Sequence, residues 1–128
     1  MSDSADPRGS AIIVGASGGV GDALVRTIVA GGRFAEVHAI FMDQEPKIEA
    51  CYQMAAAPNL VVIPFFISDG FHTQEDIPGM LGLTHDAKGA YQVPSRVDGR
   101  TVWYSGAVGT DPAMAEVVLE RALQAAAN

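Results

Sequence analysis

Three things are scarce in this chain of 128 residues, and each scarcity removes a class of answer. There is one cysteine, Cys51, so no disulfide can close within the chain, and such thiol usage suits a cytoplasmic setting. Cys51 falls in a helical pattern and reads as a small buried packing group rather than a nucleophile. Basic residues are also few: eight Lys and Arg stand against fifteen Asp and Glu, for a formal net charge of −7. Nucleic-acid backbones are held by clustered cations, and these eight are scattered, which argues against a nucleic-acid partner. Long apolar runs are missing as well. The longest, Leu60 to Ile67, is interrupted by Pro64 and falls far short of a membrane span. Residues 1–10, MSDSADPRGS, carry no basic stretch leading into an apolar one, and read as a short disordered lead rather than a secretory signal.

What is present is a compact α/β pattern. Hydrophobic residues make up 48% and charged residues 18%, the balance of one folded domain, expected over 11–128. Four strand-length apolar runs occur, at Ala11–Gly15, Val37–Met42, Leu60–Phe66 and Thr101–Ser105. The first three are nearly continuous rather than alternating, as in strands covered on both faces. Helical patterns follow each run, at Val20–Ala30, Lys47–Ala56, Thr73–Leu81 and Pro112–Ala126. This alternation predicts a doubly wound, three-layer, flavodoxin-like sandwich with a four-stranded parallel sheet in the order 2-1-3-4. Residues 82–100, GLTHDAKGAYQVPSRVDGR, break the rhythm and are expected to form a long surface loop or lid.

In such folds ligands sit beyond the C-terminal ends of the strands. The segments at that edge are GASGG, DQEPK, SDGFHTQED and GAVGTD, and they gather Glu45, Asp69, His72 and Asp76. His72 has two readings from its neighbours alone: a functional imidazole, or an exposed loop residue ahead of a helix capped at Thr73. Glu75 and Asp76 suit a helix start, where the dipole favours acids. Asp69 can turn the chain before Gly70 as well as touch a ligand. His38 lies within a strand, packed or paired there, and nothing specifies a role for His85.

The stretch VVIPFFISDGFHTQEDIP resembles the strand-and-loop signature of CbiX-type sirohydrochlorin chelatases, the class II chelatases. RFAEVHAIFMDQEPKIEA is similar to that family's second strand and Glu-Pro turn, and VWYSGAVGTDPAMAEVVLERA to its closing strand, Gly-Thr turn and last helix. The likeness runs from about Arg33 to Ala122. It implies a chelatase-like fold, a lyase of cobalamin or siroheme biosynthesis and a homodimer. It also implies a tetrapyrrole partner and a divalent metal, cobalt or the related nickel or iron, as substrate. On the same basis His72 is the metal-binding and proton-accepting histidine, with Glu45 as its acidic partner. A neutral imidazole can bind such a dication and take up a pyrrole proton. Lys47, Ser68, Gly70, Arg96 and Arg100 are the candidate contacts for a polycarboxylate substrate.

The first loop departs from the pattern. Where these chelatases carry Gly-His-Gly-Ser, this chain has Gly15, Ala16, Ser17 and Gly18, and alanine binds neither metal nor proton. VGASGGVGDALV instead resembles a Rossmann glycine loop of short-chain dehydrogenases, with Gly15, Gly19 and Gly21 near a pyrophosphate and Asp43 near a ribose. That alternative implies NAD(P), yet no Tyr-x-x-x-Lys occurs, so a complete dehydrogenase is not expected. Two origins fit the pair of resemblances: a chelatase whose first loop diverged, or a chimera that joins a Rossmann βα unit to a chelatase scaffold. Without turnover, the alternative roles are a tetrapyrrole-, metal- or dinucleotide-binding module, or a scaffold with no ligand.

Overall fold

The computed structural model describes residues 9–15, 21–85 and 94–127. Its first strand, β1 (Ser10–Gly15), is followed by helix α1 (Gly21–Ala30) and β2 (Glu36–Phe41). A 3-10 turn at Ile48–Ala50 leads into the short helix α2 (Cys51–Met54), then β3 (Asn59–Pro64). A π-helical turn, His72–Asp76, runs into α3 (Ile77–Leu81). The chain ends with β4 (Ser95–Val97), β5 (Arg100–Tyr104), a 3-10 turn at Val108–Thr110 and α4 (Met114–Ala126).

These strands form one sheet of five in the order β2-β1-β3-β5-β4. β2, β1, β3 and β5 are parallel, while β4 pairs antiparallel with β5. The expected four-stranded, all-parallel sheet is therefore corrected to a mixed, five-stranded one. The extra strand comes from the segment read as loop, and its cause is local. Asp98 and Gly99 both take positive φ, 50° and 76°, the geometry of the two-residue turn that suits a tight hairpin. Val97 then pairs with Arg100, and Ser95 with Val102. β1 begins at Ser10, one residue before the expected Ala11, and residues 1–8 of the expected lead lie outside the described residues.

Side chains alternate across each strand, and both faces are apolar, which is why the strand sequences run nearly unbroken. On one face Ile12, Val14, Ile40, Leu60, Val62 and Val102 pack with Ile48, Cys51, Ile77 and Leu81. Ala11, Ile13 and Val37 on the other face meet Leu24, Val25 and Ile28 of α1. Cys51 is fully buried, and that burial pushes its thiol up to about 11, so it is a packing group.

Two of the expected helices are shorter or wound differently. The 47–56 pattern yields only the 3-10 turn and α2, because Ala55 turns extended. The helix before Pro78 opens into a π turn, with the Ile77 N–H donating to the His72 carbonyl. Proline lacks an N–H, and its ring crowds the carbonyl four residues back, so a wider turn ahead of it relieves both problems. α3 stops where Gly82 takes a φ of 77° and Leu83 N–H donates to the Pro78 carbonyl at 3.0 Å.

At the N-terminal edge of the sheet, one carboxylate ties β2 to the turn before β3. Glu36 accepts from His38 Nε2 at 2.6 Å, and from the Ala56 and Ala57 N–H groups at 2.7 and 3.2 Å. The His38 hydrogen bond lowers the Glu36 pKa most, burial opposes it by less, and the Ala56 N–H lowers it further, bringing it from 4.5 down to about 2. A depressed carboxyl stabilises the fold fully above its unfolded value and ceases to do so as pH falls toward its folded value. Glu36 should therefore contribute above about pH 4.5 and lose that contribution between 4.5 and 2. A Glu36→Ala variant should be less stable at neutral pH by about 1–2 kcal/mol, the worth of charged hydrogen bonds in a half-exposed place. In urea melts across that window, the gap between variant and parent should narrow toward acid.

Candidate functional site

The loop between β3 and α3 is built by its contacts with the turn after β5. The main chain continues past Pro64 with Phe65 N–H donating to Val14 at 2.7 Å, then leaves the sheet. Gly109 N–H donates to the Phe66 carbonyl at 2.9 Å. The two backbones touch so closely that a Cβ on Gly109 would overlap the Ile67 carbonyl and lie 2.6 Å from its Cα. Asp69 Oδ1 accepts from the Ala107 N–H at 3.1 Å and from the Thr73 hydroxyl at 3.2 Å. Thr73 is buried, and its Oγ1 in turn accepts from Gly70 N–H at 2.9 Å. From β5, the Tyr104 hydroxyl donates to the Thr73 carbonyl at 2.6 Å. Asp69 is thus a brace for the loop. Thr73 lies inside the helical turn rather than capping it.

This frame presents His72. Its Nδ1 lies 2.8 Å from Asp76 Oδ2, and its ring sits 6.1 Å from that of Phe66, tilted by 43°. A carboxylate oxygen only accepts, so Nδ1 carries the hydrogen, and in the neutral ring Nε2 then keeps its lone pair. An imidazole fixed in this way is a good base and a good ligand for a borderline metal, because the carboxylate behind it sets both tautomer and orientation. His72 opens onto a cleft of about 230 Å³ with Phe66, Ile67, Ser68, Gly70 and Phe71 around it.

The structure brings together only some of the residues selected from sequence. Ser68, Gly70 and His72 share the cleft. Glu45 follows β2 at the same edge of the sheet, exposed, with Lys47 two residues on and bridged to Phe41. The hydrogen-bonded carboxylate of His72 is Asp76, not Glu45. Arg96 and Arg100 stand at the opposite edge, beside the start of β3, roughly 20 Å from its end at a strand's rise per residue. There they serve the fold: Arg100 donates to the Ala55 carbonyl at 2.7 Å, and Arg96 to Thr101 Oγ1 at 2.7 Å and the Gly99 carbonyl at 3.1 Å. That location sets them a strand length away from the His72 cleft. Gly15 ends β1, Gly21 opens α1 and Asp43 is exposed after β2, whereas Gly19 and the rest of the glycine loop, Ala16 included, lie outside the described residues. Among the described residues, no group of three His, Cys, Asp or Glu side chains could hold a metal ion.

A family model described as CbiX matches residues 17–125. The chain belongs to the CbiX family. The match begins before α1, so the family likeness extends well upstream of Arg33. Among curated relatives, the chain is 53% identical over 96 residues to a probable sirohydrochlorin cobaltochelatase of Halobacterium salinarum, covering 75% of this chain and 33% of that protein. It is 34% identical over 110 residues to the sirohydrochlorin cobaltochelatase of Methanopyrus kandleri, covering 73% of this chain and 76% of the relative. The chain thus spans about a third of the halobacterial relative and three quarters of the methanogen one. Two solved structures share the fold. DR2241 from Deinococcus radiodurans, a multi-domain protein with structural similarity to chelatases, superposes with a TM-score of 0.71 at 23% identity, covering 90% of this chain and 28% of that one. The CbiX described as the terminal enzyme for siroheme biosynthesis in denitrifying bacteria gives 0.59 at 18%, covering 90% and 47%.

Asp76 is the site residue that sequence reasoning undervalued. Its spacing of four from His72 was a readable signal, since residues so placed meet on one face of a helical turn. Gly109 carried no comparable signal, because its partner is backbone 42 positions away in sequence, at Ile67. The CbiX frame predicts that Gly109→Ala must push the two turns apart. The expected cost is about 1–3 kcal/mol, as for other overpacked sites, read as a lowered Tm against the parent.

Proposed function

We propose that this CbiX-family chain inserts a divalent metal, cobalt in the first instance and nickel or iron as related substrates, into a sirohydrochlorin-type tetrapyrrole. The observation that carries the reading is the Asp76-backed imidazole of His72 on the strand-end edge of a chelatase-like sheet. The family match and the names of the halobacterial and methanogen relatives support it. Insertion exchanges two pyrrole N–H protons for one dication, so the protein must hold the ion loosely and take up protons. His72 Nε2 meets the ion or accepts a proton, while Asp76 keeps Nδ1–H in place. Glu45 supplies a second carboxylate from the loop after β2, to offset the charge of the ion and accept the other proton. Lys47, next to it, is the cation for a carboxylate side chain of the macrocycle, and Ser68 and Gly70 offer polar groups along the cleft.

The working unit in this reading is a cytoplasmic homodimer. α4 supports a second copy, since its Val117, Val118, Leu119 and Leu123 are all exposed while the polar residues Glu116, Glu120 and Gln124 form one stripe. No helix among the described residues is long and apolar enough to cross a membrane.

A binding role without turnover is favoured by one residue, Ala16, in place of the family's first-loop histidine. The two readings separate in an absorbance time course of sirohydrochlorin with cobalt(II), with and without the protein. The chelatase reading predicts acceleration that is abolished in His72→Ala and reduced about 10- to 100-fold in Asp76→Ala, the usual cost of losing the partner behind a metal-binding imidazole. No acceleration over the spontaneous reaction would leave the binding role.

A further inference from the structure

We infer that Ile67 and Phe71 form an apolar platform on which one face of the flat macrocycle lies, placing its centre over His72. The inference rests on the chelatase reading for the identity of the ligand. It stands on the exposure of two large side chains, Ile67 at 77% and Phe71 at 70%, that both line the cleft holding His72. Single exposed apolar residues are ordinary, but two flanking one polar group in one cleft mark a binding surface. Their exposure is built in. The Ile67 backbone is pressed against Gly109, and Phe71 directly precedes the turn braced by Thr73 and Tyr104, so the main chain that presents both side chains is fixed. Phe66, packed on the His72 ring, continues the apolar surface up to the imidazole.

Charge makes the platform necessary. A tetrapyrrole disc has apolar faces and a carboxylate rim, and this chain carries a net charge of −7. The overall field opposes that rim, so attraction has to come from the faces. Among the described residues, Arg96 and Arg100 lie at the far edge of the sheet, and Lys47 follows β2 on the same edge as the cleft. Burying an Ile or Phe side chain against the macrocycle is worth about tenfold or more in affinity apiece.

The test is a titration of metal-free sirohydrochlorin into the whole chain and into its Ile67→Ser, Phe71→Ser and Phe71→Tyr variants, with KM and kcat for cobalt insertion measured alongside. Both side chains are largely exposed, so the serine variants should fold, which circular dichroism checks. The platform predicts that Kd and KM rise about tenfold in each serine variant, that Phe71→Tyr binds like the parent, and that kcat changes little. Serine variants that bind as tightly as a parent that inserts cobalt would overturn the platform and leave the chelatase reading standing. A parent that binds the macrocycle, weakened by the serine changes, but inserts no metal would support the platform and overturn the chelatase reading. A parent that binds no macrocycle would overturn both.

Discussion

The site depends on one close approach of backbone to backbone, Gly109 against Ile67. Strands β3 and β5 are neighbours, and the segments leaving them would otherwise splay once the ladder ends. A missing side chain at Gly109 lets the two turns touch, and the Gly109 N–H closes on the Phe66 carbonyl. Asp69 then reaches across to the Ala107 amide, and Tyr104 to the Thr73 carbonyl. Three independent hydrogen bonds therefore span the same gap. A loop that sequence alone would leave free becomes a fixed shelf, and everything on it inherits a defined position.

What the shelf holds is set by Pro78. The wide turn that precedes it carries His72 and Asp76, and their side chains meet at 2.8 Å. The residue that shapes the backbone thus also shapes the chemistry, since π turns alter which side chains stack. The other end of the sheet carries contacts that hold the fold. Glu36 gathers His38 and two backbone amides there, and Arg100 closes on the Ala55 carbonyl. The strand-start edge thus holds charged groups in structural contacts, while the strand-end edge carries both a brace, Asp69, and the His72–Asp76 pair.

Much of the architecture was legible because strand and helix periods differ so plainly. The runs around Ile12, Ile40 and Val62 are buried strands, and their order along the chain alternates with helical patterns. The hairpin was missed although Asp98–Gly99 is a strong turn signal, because the surrounding glycines and charges read as loop. His72 was legible through its motif. Asp76 was visible as an acid at a helix start, but its pairing with His72 depends on how the turn before Pro78 is wound. The distance of Arg96 and Arg100 from His72 was not legible from a count of charges: in a parallel sheet, a residue that opens a strand lies a full strand length from the strand-end edge. Gly109 was illegible, since no local pattern announces a contact between distant backbones.

The central claim is that the fold delivers His72 with its Nδ1 hydrogen given to Asp76 and its Nε2 lone pair turned outward. Nitrogen-15 chemical shifts of the His72 imidazole, assigned by comparison with His72→Ala and recorded at a pH where the ring is neutral, test it directly. The account predicts a protonated Nδ1 and an unprotonated Nε2, with Asp76→Ala relaxing the ring toward the usual mixture of tautomers. A ring protonated at Nε2 in the parent, unaffected by loss of Asp76, would contradict it.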